Sequence, residues 1–395
     1  MQDTENFRAE TRSWLEANCP PAMRQPLTQE QIVWSGSEIT FGNDDQRVWF
    51  ERMRDRGWFA PDWPKELGGG GLTPKQARIV EQEMQRLSCR PPQFNLGVWM
   101  LGPVLLEIGT EEQKREHLAP MMEGRMRWCQ GFSEPNAGSD LASLKTSARV
   151  DENGDFIGNG SKIWTSYGDA ADWMYALVRT DPTVKKQEGI SFVLIDMKSP
   201  GVTVKPIELI SGKSSFCEVF FDEVRVPARQ LVGPLNGGWT VAKKLLQHER
   251  AAMSKFSEGS APSHDALAVA RPYLYGEDGT LLEPVWRDKL AALLMDSQAF
   301  ALTHQRVLEQ GMARMDVSGP ASTMKLVQTE QEVAKYEFLM QVMGQRGLSW
   351  EGDEFSADEH DIGRLWLLAK TYTIGGGSSE VQLNIIAKRV LGLPG

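Results

Sequence analysis

The chain has little that is reactive and nothing that is long and apolar. Four cysteines, Cys19, Cys89, Cys129 and Cys217, are scattered over 395 residues. No CxxC pair joins them, so no disulfide framework is expected and a reducing compartment follows. No apolar run approaches the ~18 residues of a membrane span. The opening Met1-Gln2-Asp3-Thr4-Glu5-Asn6 is acidic and lacks the apolar core of a signal peptide. Lys and Arg number 43 against 53 Asp and Glu, a net charge of −10. No basic stripe is present, which argues against nucleic acid. An anionic ligand would need a locally basic site. There is no GxGxxG dinucleotide fingerprint, no cluster of metal ligands, no internal repeat and no low-complexity tail. These absences describe a soluble, cytoplasmic protein.

Apolar residues make up 41% of the chain, enough for a large core. Single cores stop growing near ~250–300 residues, so two or three domains are expected. Residues 1–126 read as helical. Thr73-Pro74-Lys75-Gln76 and Thr110-Glu111-Glu112-Gln113 are capping boxes. Between 127 and 232 the period falls to two. Strands are predicted at 145–151, 156–166, 173–179, 190–197, 202–207 and 216–226, with Asn153-Gly154 as a hairpin turn. Short strands without intervening helices predict an antiparallel barrel or sandwich. From 233 to 395 the pattern is helical again, with helices at 239–257, 264–273, 284–315, 320–343, 361–372 and 378–391, a helical bundle. The fold class is α+β and mostly α.

The organising stretch is Trp128–Asp140, which reads Trp-Cys-Gln-Gly-Phe-Ser-Glu-Pro-Asn-Ala-Gly-Ser-Asp. It begins as a strand and breaks at Pro135 into small polar residues. Asn136, Gly138 and Ser139 can turn the backbone and leave N–H groups pointing outward. That describes a surface turn or a loop for a polar heterocycle or phosphate. Downstream lie Gly160-Ser161-Lys162-Ile163-Trp164-Thr165-Ser166 and the segment from Lys370 to Gln382, which contains Gly375-Gly376-Gly377-Ser378-Ser379-Glu380.

Together, in this order and spacing, the three blocks resemble the acyl-CoA dehydrogenase family of flavoenzymes over essentially the whole chain. The resemblance implies a helical domain, a small β-domain and a C-terminal four-helix bundle. It implies FAD as cofactor, acyl-CoA as substrate, an electron-transfer flavoprotein or similar acceptor, and self-association or pairing with a paralogous subunit. It sets Gln130, Phe132 and Ser133 at the flavin ring. Gly138 and Ser139 fall toward the phosphates or the thioester, and Trp164, Thr165 and Ser166 against the isoalloxazine. Ser378 and Glu380 face the ribityl and adenosine end. Gln341 and Gly344 match a segment that reaches a cofactor across a subunit interface. Two departures stand out. The family's Gly-Gly-x-Gly reads Gly344-Gln345-Arg346-Gly347. The usual Arg-x-x-Phe-Gly is missing, with Tyr275-Gly276-Glu277-Asp278-Gly279 nearby. Phosphate contact would then come from Arg287 or a partner chain.

Desaturating a thioester needs a carboxylate base in an apolar cleft, because burial raises its pKa. On the helix after the β-domain, Ala242, Leu246, Glu249, Met253 and Phe256 share a face at helical spacing. Glu249 is the charge on that face. By periodicity it is either the partner of His248 or Arg250, or a base. The resemblance bears on this choice. Most members carry the base where this chain has Gly376. The isovaleryl and long-chain types carry it on the earlier helix, directly before an Arg, as in His248-Glu249-Arg250. By the same resemblance Arg250 faces the ligand, although a plain salt bridge is its other reading. Gly376 and Gly377 lead into a helix start, where free N–H groups bind carbonyls. The resemblance gives the Gly376 N–H the thioester carbonyl. A helix-borne base and no Tyr at Gly375 suggest a branched, bulky or long acyl group. Rival readings are an acyl-CoA oxidase and a silent subunit of a hetero-oligomer.

Overall fold

A computed structural model describes residues 2–25, 31–212, 214–255, 265–312 and 318–394. It divides into two compact units. One combines Met1–Ile207 with Ser215–Pro262, and the other combines Glu208–Ser214 with Ser263–Gly395.

The first unit opens with helices Gln2–Asn18, Asp44–Asp55 and Pro74–Arg86. Both expected capping boxes form: Thr73 accepts from the Gln76 N–H, and Thr110 from the Gln113 N–H, each returned by the glutamine side chain. Buried Glu83 receives Arg8 at 3.0 Å and Arg12 at 2.9 Å, which ties the first helix to the third. Further on, a π-helical turn at Gly97–Leu101 runs into helix Gly102–Ile108.

The β-domain follows as a seven-stranded sheet in the order β1-β4-β2-β3-β7-β6, with β5 also paired to β4. Its strands are β1 Trp128–Gly131, β2 Ser147–Val150, β3 Phe156–Ser166, β4 Trp173–Arg179, β5 Ile190–Asp196, β6 Val202–Ile207 and β7 Phe216–Val226. The antiparallel expectation holds for β2–β3, β3–β7, β4–β5 and β6–β7. It does not hold for β4, which runs parallel to β1 and to β2. The physical reason is the long connection between β1 and β4. A parallel pair needs a crossover of a dozen or more residues, and the whole β2–β3 hairpin lies in that connection.

Helix Gly238–Lys255 closes the first unit. Asn236 precedes it at φ +65°, a left-handed position that asparagine tolerates. The Ser191 Oγ accepts the Asn236 N–H at 2.8 Å, which fastens the helix start to β5. Gly238 is required there, since an added Cβ would lie 2.5 Å from the Ser191 carbonyl carbon.

The second unit is helical: Ala266–Leu274, Pro284–Met312, Ser318–Met343, Ala357–Ala369 and Ser379–Ile385, the last continued by a π turn at Ile386–Val390. The Ala357 helix starts four residues before the predicted 361. Its capping box, Ser356 with Glu359, was present in the sequence and sets the true start. Segment Glu208–Ser214 is fastened to this unit by Arg364, which donates to the Ser211 carbonyl at 3.2 Å and lies 3.8 Å over the Trp350 ring. Among the described residues no helix is long and apolar enough to cross a membrane.

Candidate functional site

The conspicuous surface of the first unit is the end of β3. Trp164 sits at φ +61° and 55% of it is exposed. A left-handed conformation at a bulky residue costs about 1–3 kcal/mol and clusters at ligand sites. A register shift against β7 between Lys162 and Thr165 accommodates it. Phe216 meets the indole edge-on at 6.1 Å. Ser133 lies alongside, because its carbonyl accepts the Ile163 N–H at 2.9 Å. Ser133 and Ser166 are half-buried, while Gly138 and Ser139 are exposed on the following loop. Thr165 does not join this face: it is fully buried. Side chains alternate across a strand, so three consecutive residues cannot all face one ligand.

Beneath this surface the loop is anchored by charge. Glu134 accepts the Lys145 N–H at 2.6 Å, the Thr146 N–H at 2.9 Å and the Lys162 ammonium at 2.8 Å. Lys162 also donates to the Phe132 carbonyl at 3.2 Å. Burial pushes the Lys162 pKa down to about 8, against the pull of Glu134. For Glu134 burial works upward, but the Lys162 charge and the N–H donors hold it below the usual carboxylate range. Neither residue was picked out from the sequence. No local signal marks them, because Gly158 and Gly160 interrupt the apolar alternation ahead of Lys162.

Gln130 on β1 is half-buried, and Phe132 is buried. The Tyr175 hydroxyl donates to the Gln130 Oε1 at 3.3 Å and lies 3.6 Å from the Met100 sulfur on the π turn. Tyr175 stacks on Phe192 at 6.1 Å, and Phe132 meets it edge-on. Burial raises the Tyr175 pKa well above normal, and the Glu249 charge adds to that rise. Glu249 is therefore within electrostatic reach of the Tyr175–Gln130 pair. Its helix buries Val241, Ala242 and Leu245 in the main core, and Leu246 packs against them. Glu249 continues the 241–245 row at i+4 and is itself half-buried. Of the expected stripe, Ala242 is buried and Leu246 half-buried, and the buried face also takes in Val241 and Leu245. For Arg250 and Met253 only the backbone is described, and Phe256 lies outside the described residues.

In the second unit, Gly376 and Gly377 take φ +67° and +93°. A Cβ on Gly377 would approach the Gln382 amide nitrogen to 2.7 Å. The loop is gripped by the buried Lys325, which donates to the Gly377 carbonyl at 2.7 Å and the Tyr372 carbonyl at 3.2 Å. Sequence reading missed this residue too. Ser378 caps the last helix through the Val381 N–H, and Glu380 is exposed in the first turn of that helix. Gln341 is exposed and receives Lys289 at 3.3 Å, and Gly344 is exposed at φ +55°. Tyr275–Gly279 forms a tight turn closed by the Gly279 N–H to the Gly276 carbonyl at 2.9 Å. Arg287 is paired with Asp288 at 3.1 Å.

Gln130, Ser133, Trp164 and Ser166 carry no charge, and the adjacent Glu134 is turned inward onto Lys162. One exposed aromatic plane beside hydroxyl and amide donors fits a flat, acceptor-rich heterocycle such as the isoalloxazine of FAD. Among the described residues no group of three or more His, Cys, Asp or Glu could hold a metal.

Comparison with known proteins agrees in three successive pieces. Family models of the N-terminal, middle and C-terminal domains of acyl-CoA dehydrogenases match residues 1–125, 129–224 and 236–391. The acyl-CoA dehydrogenase IpdE1 of Mycobacterium tuberculosis is 34% identical, covering 100% of this chain and 99% of that protein. The acyl-CoA dehydrogenase FadE34 of the same organism is 36% identical over 87% of this chain, which spans only 45% of FadE34. Two solved structures are similar at 28% identity, each covering 100% of this chain and 98% of the other. They are the Tcur3481–Tcur3483 steroid ACAD, with a TM-score of 0.77, and the ChsE4–ChsE5 complex from M. tuberculosis, at 0.74.

Proposed function

Since the chain belongs to the acyl-CoA dehydrogenase family, a family of FAD-binding oxidoreductases, we propose that it converts a bulky, steroid-like acyl-CoA into its 2,3-enoyl-CoA. The observation that carries the reaction is Glu249. It is a half-buried carboxylate on a helix whose inner face is apolar, close enough for its charge to act on Tyr175. In this reading Glu249 takes the proton alpha to the thioester carbonyl. The Gly376 N–H holds that carbonyl and stabilises the charge that develops on it. Gln130, Ser133, Trp164 and Ser166 hold the flavin ring, and Phe132 backs it. Gly138 and Ser139 serve its phosphate side or the thioester. Ser378 and Glu380 serve the far end of the cofactor, and Arg250 the ligand. FAD, when bound, supplies the acceptor for the hydride from the beta carbon. The electrons then leave to an electron-transfer flavoprotein or similar acceptor.

The steroid-like acyl group rests on the solved relative described as a steroid ACAD. A hetero-oligomer is supported by two relatives named as pairs of chains. It is also supported by the tight, glycine-bounded turn at Tyr275–Gly279, near where the family's arginine motif is missing. Gln341 and Gly344 would serve a neighbour's cofactor in such an assembly. The test is anaerobic bleaching of the purified flavoprotein by a panel of acyl-CoA thioesters. Steroid-side-chain thioesters should bleach it fastest. Bleaching by short straight chains alone would reject the substrate class, and a colourless protein would reject the flavin assignment.

A further inference from the structure

The Phe132–Ser133 peptide joins a buried charge to the exposed rim. Its carbonyl accepts the Lys162 ammonium at 3.2 Å, inside the domain. A trans peptide is planar, so the N–H of the same unit, that of Ser133, points the opposite way. Among the described residues that N–H donates to no protein group, while Ser133 itself is half-buried beside Trp164. A cation bound to a carbonyl polarises the whole amide and strengthens its N–H as a donor. Lys162 is completely buried, so water does not screen this effect. Glu134, 2.8 Å from the ammonium, offsets part of the charge.

We propose that Lys162, opposed by Glu134, is a positioning residue that orients and polarises the Phe132–Ser133 peptide toward the flavin and so favours the electron-rich reduced ring. The inference rests on Ser133 lying at the flavin, as in the proposed function. It assigns the buried pair a tuning role beyond holding the loop.

Lys162→Met removes the cation, so holoprotein affinity for reduced over oxidised FAD should fall by about tenfold, the scale of a charge-assisted hydrogen bond. Glu134→Gln removes the charge that holds the proton on the buried Lys162, so the ratio should fall in this variant too, and should recover on acidification relative to free FAD. The measurement is a reductive titration of the yellow holoprotein against a reference dye. If the pair only braces the loop, both variants weaken FAD binding while the ratio stays at the wild-type value. That outcome overturns the inference. Should either variant fail to fold, the wild-type holoprotein is titrated between pH 7 and 9. There Lys162 loses its proton, while the facing Arg179 keeps its charge and Glu134 stays ionised. The ratio should fall with pH more steeply than for free FAD, and a slope equal to that of free FAD overturns the inference. A protein that binds no FAD at all instead rejects the proposed function.

Discussion

Lys162 and Glu134 meet at 2.8 Å inside the β-domain, with 0% and 9% of their side chains exposed. Such a pair contributes little net stability relative to apolar residues, yet losing one partner is costly because the other charge stays buried.

Lys162→Met should therefore destabilise the protein by about 3–5 kcal/mol in denaturant unfolding at pH 7. The pH dependence has a definite sign. The folded pKa of Lys162 is about 8, below its unfolded value of 10.5, so the unfolded chain holds more protons between them. The stability gap between wild type and variant should thus widen as pH rises from about 8 to 10.5. A gap that narrows over that range would contradict the buried, depressed lysine.

His117 should make the fold acid-sensitive. The ring is fully buried against Trp128 and Trp173, and burial lowers its pKa below 6.5. Its Nε2 pairs with the Gln230 Oε1 at 2.8 Å, while the Gln230 amide donates to Glu116. The unfolded chain protonates first as pH falls below 6.5, so stability is present above that value and lost on acidification. Melting temperature should drop between pH 7.5 and 5.5, and His117→Gln should flatten the drop. An equal drop in the variant would locate the acid sensitivity elsewhere.

Glu249→Gln should fold and bind FAD normally. Flavin bleaching by acyl-CoA should slow by ~10²–10⁴-fold, the usual cost of removing a general base. Unchanged stopped-flow bleaching would reject Glu249. Adding Gly376→Glu in that background puts a carboxylate at the commoner family position, at φ +67° and an expected cost of about 1–2 kcal/mol. Partial recovery of bleaching would indicate one site served from two helices.

Most of the strand plan was legible because alternation is local. Phe156–Ser166, Trp173–Arg179, Val202–Ile207 and Phe216–Val226 have the predicted bounds. What the sequence hid was non-local. The parallel pairing of β1 with β4 depends on a partner 45 residues away, Trp128 with Trp173. The bulge that turns Trp164 outward and Thr165 inward is a register shift against β7, which no count along β3 reveals. Lys162 and Lys325 look like ordinary surface lysines, and only the carbonyls gathered around them show otherwise. Glu249 is singled out in the sequence because a carboxylate on a face shared with Ala242 and Leu246 is a local anomaly.

Gly377→Ala should damage the second unit. The residue sits at φ +93°, and its new methyl would press on the Gln382 amide. A loss of about 1–3 kcal/mol is expected from the backbone alone. Native-like melting of the variant would mean the loop rearranges freely despite Lys325.

Self-association should involve the Pro284–Met312 helix. Met295 and Leu302, seven residues apart on one face, are 70% and 58% exposed. Two large apolar side chains on one exposed face make this helix the surface to test. Met295→Glu with Leu302→Glu should shift sedimentation velocity toward the monomer. An unchanged sedimentation coefficient would exclude this face.

The segment Glu208–Ser214 belongs to the second unit although its neighbours in the chain, Ile207 and Ser215, belong to the first. The backbone therefore passes between the units three times, after Ile207, after Ser214 and after Pro262. A protein truncated after Pro262 would not be a clean half. It would carry an orphaned loop whose anchor, Arg364, had been left behind, and Trp350 in the other half would lose its cover. Splitting this chain into two independently expressed pieces requires moving that loop with the helices, by circular permutation or a transplanted strap.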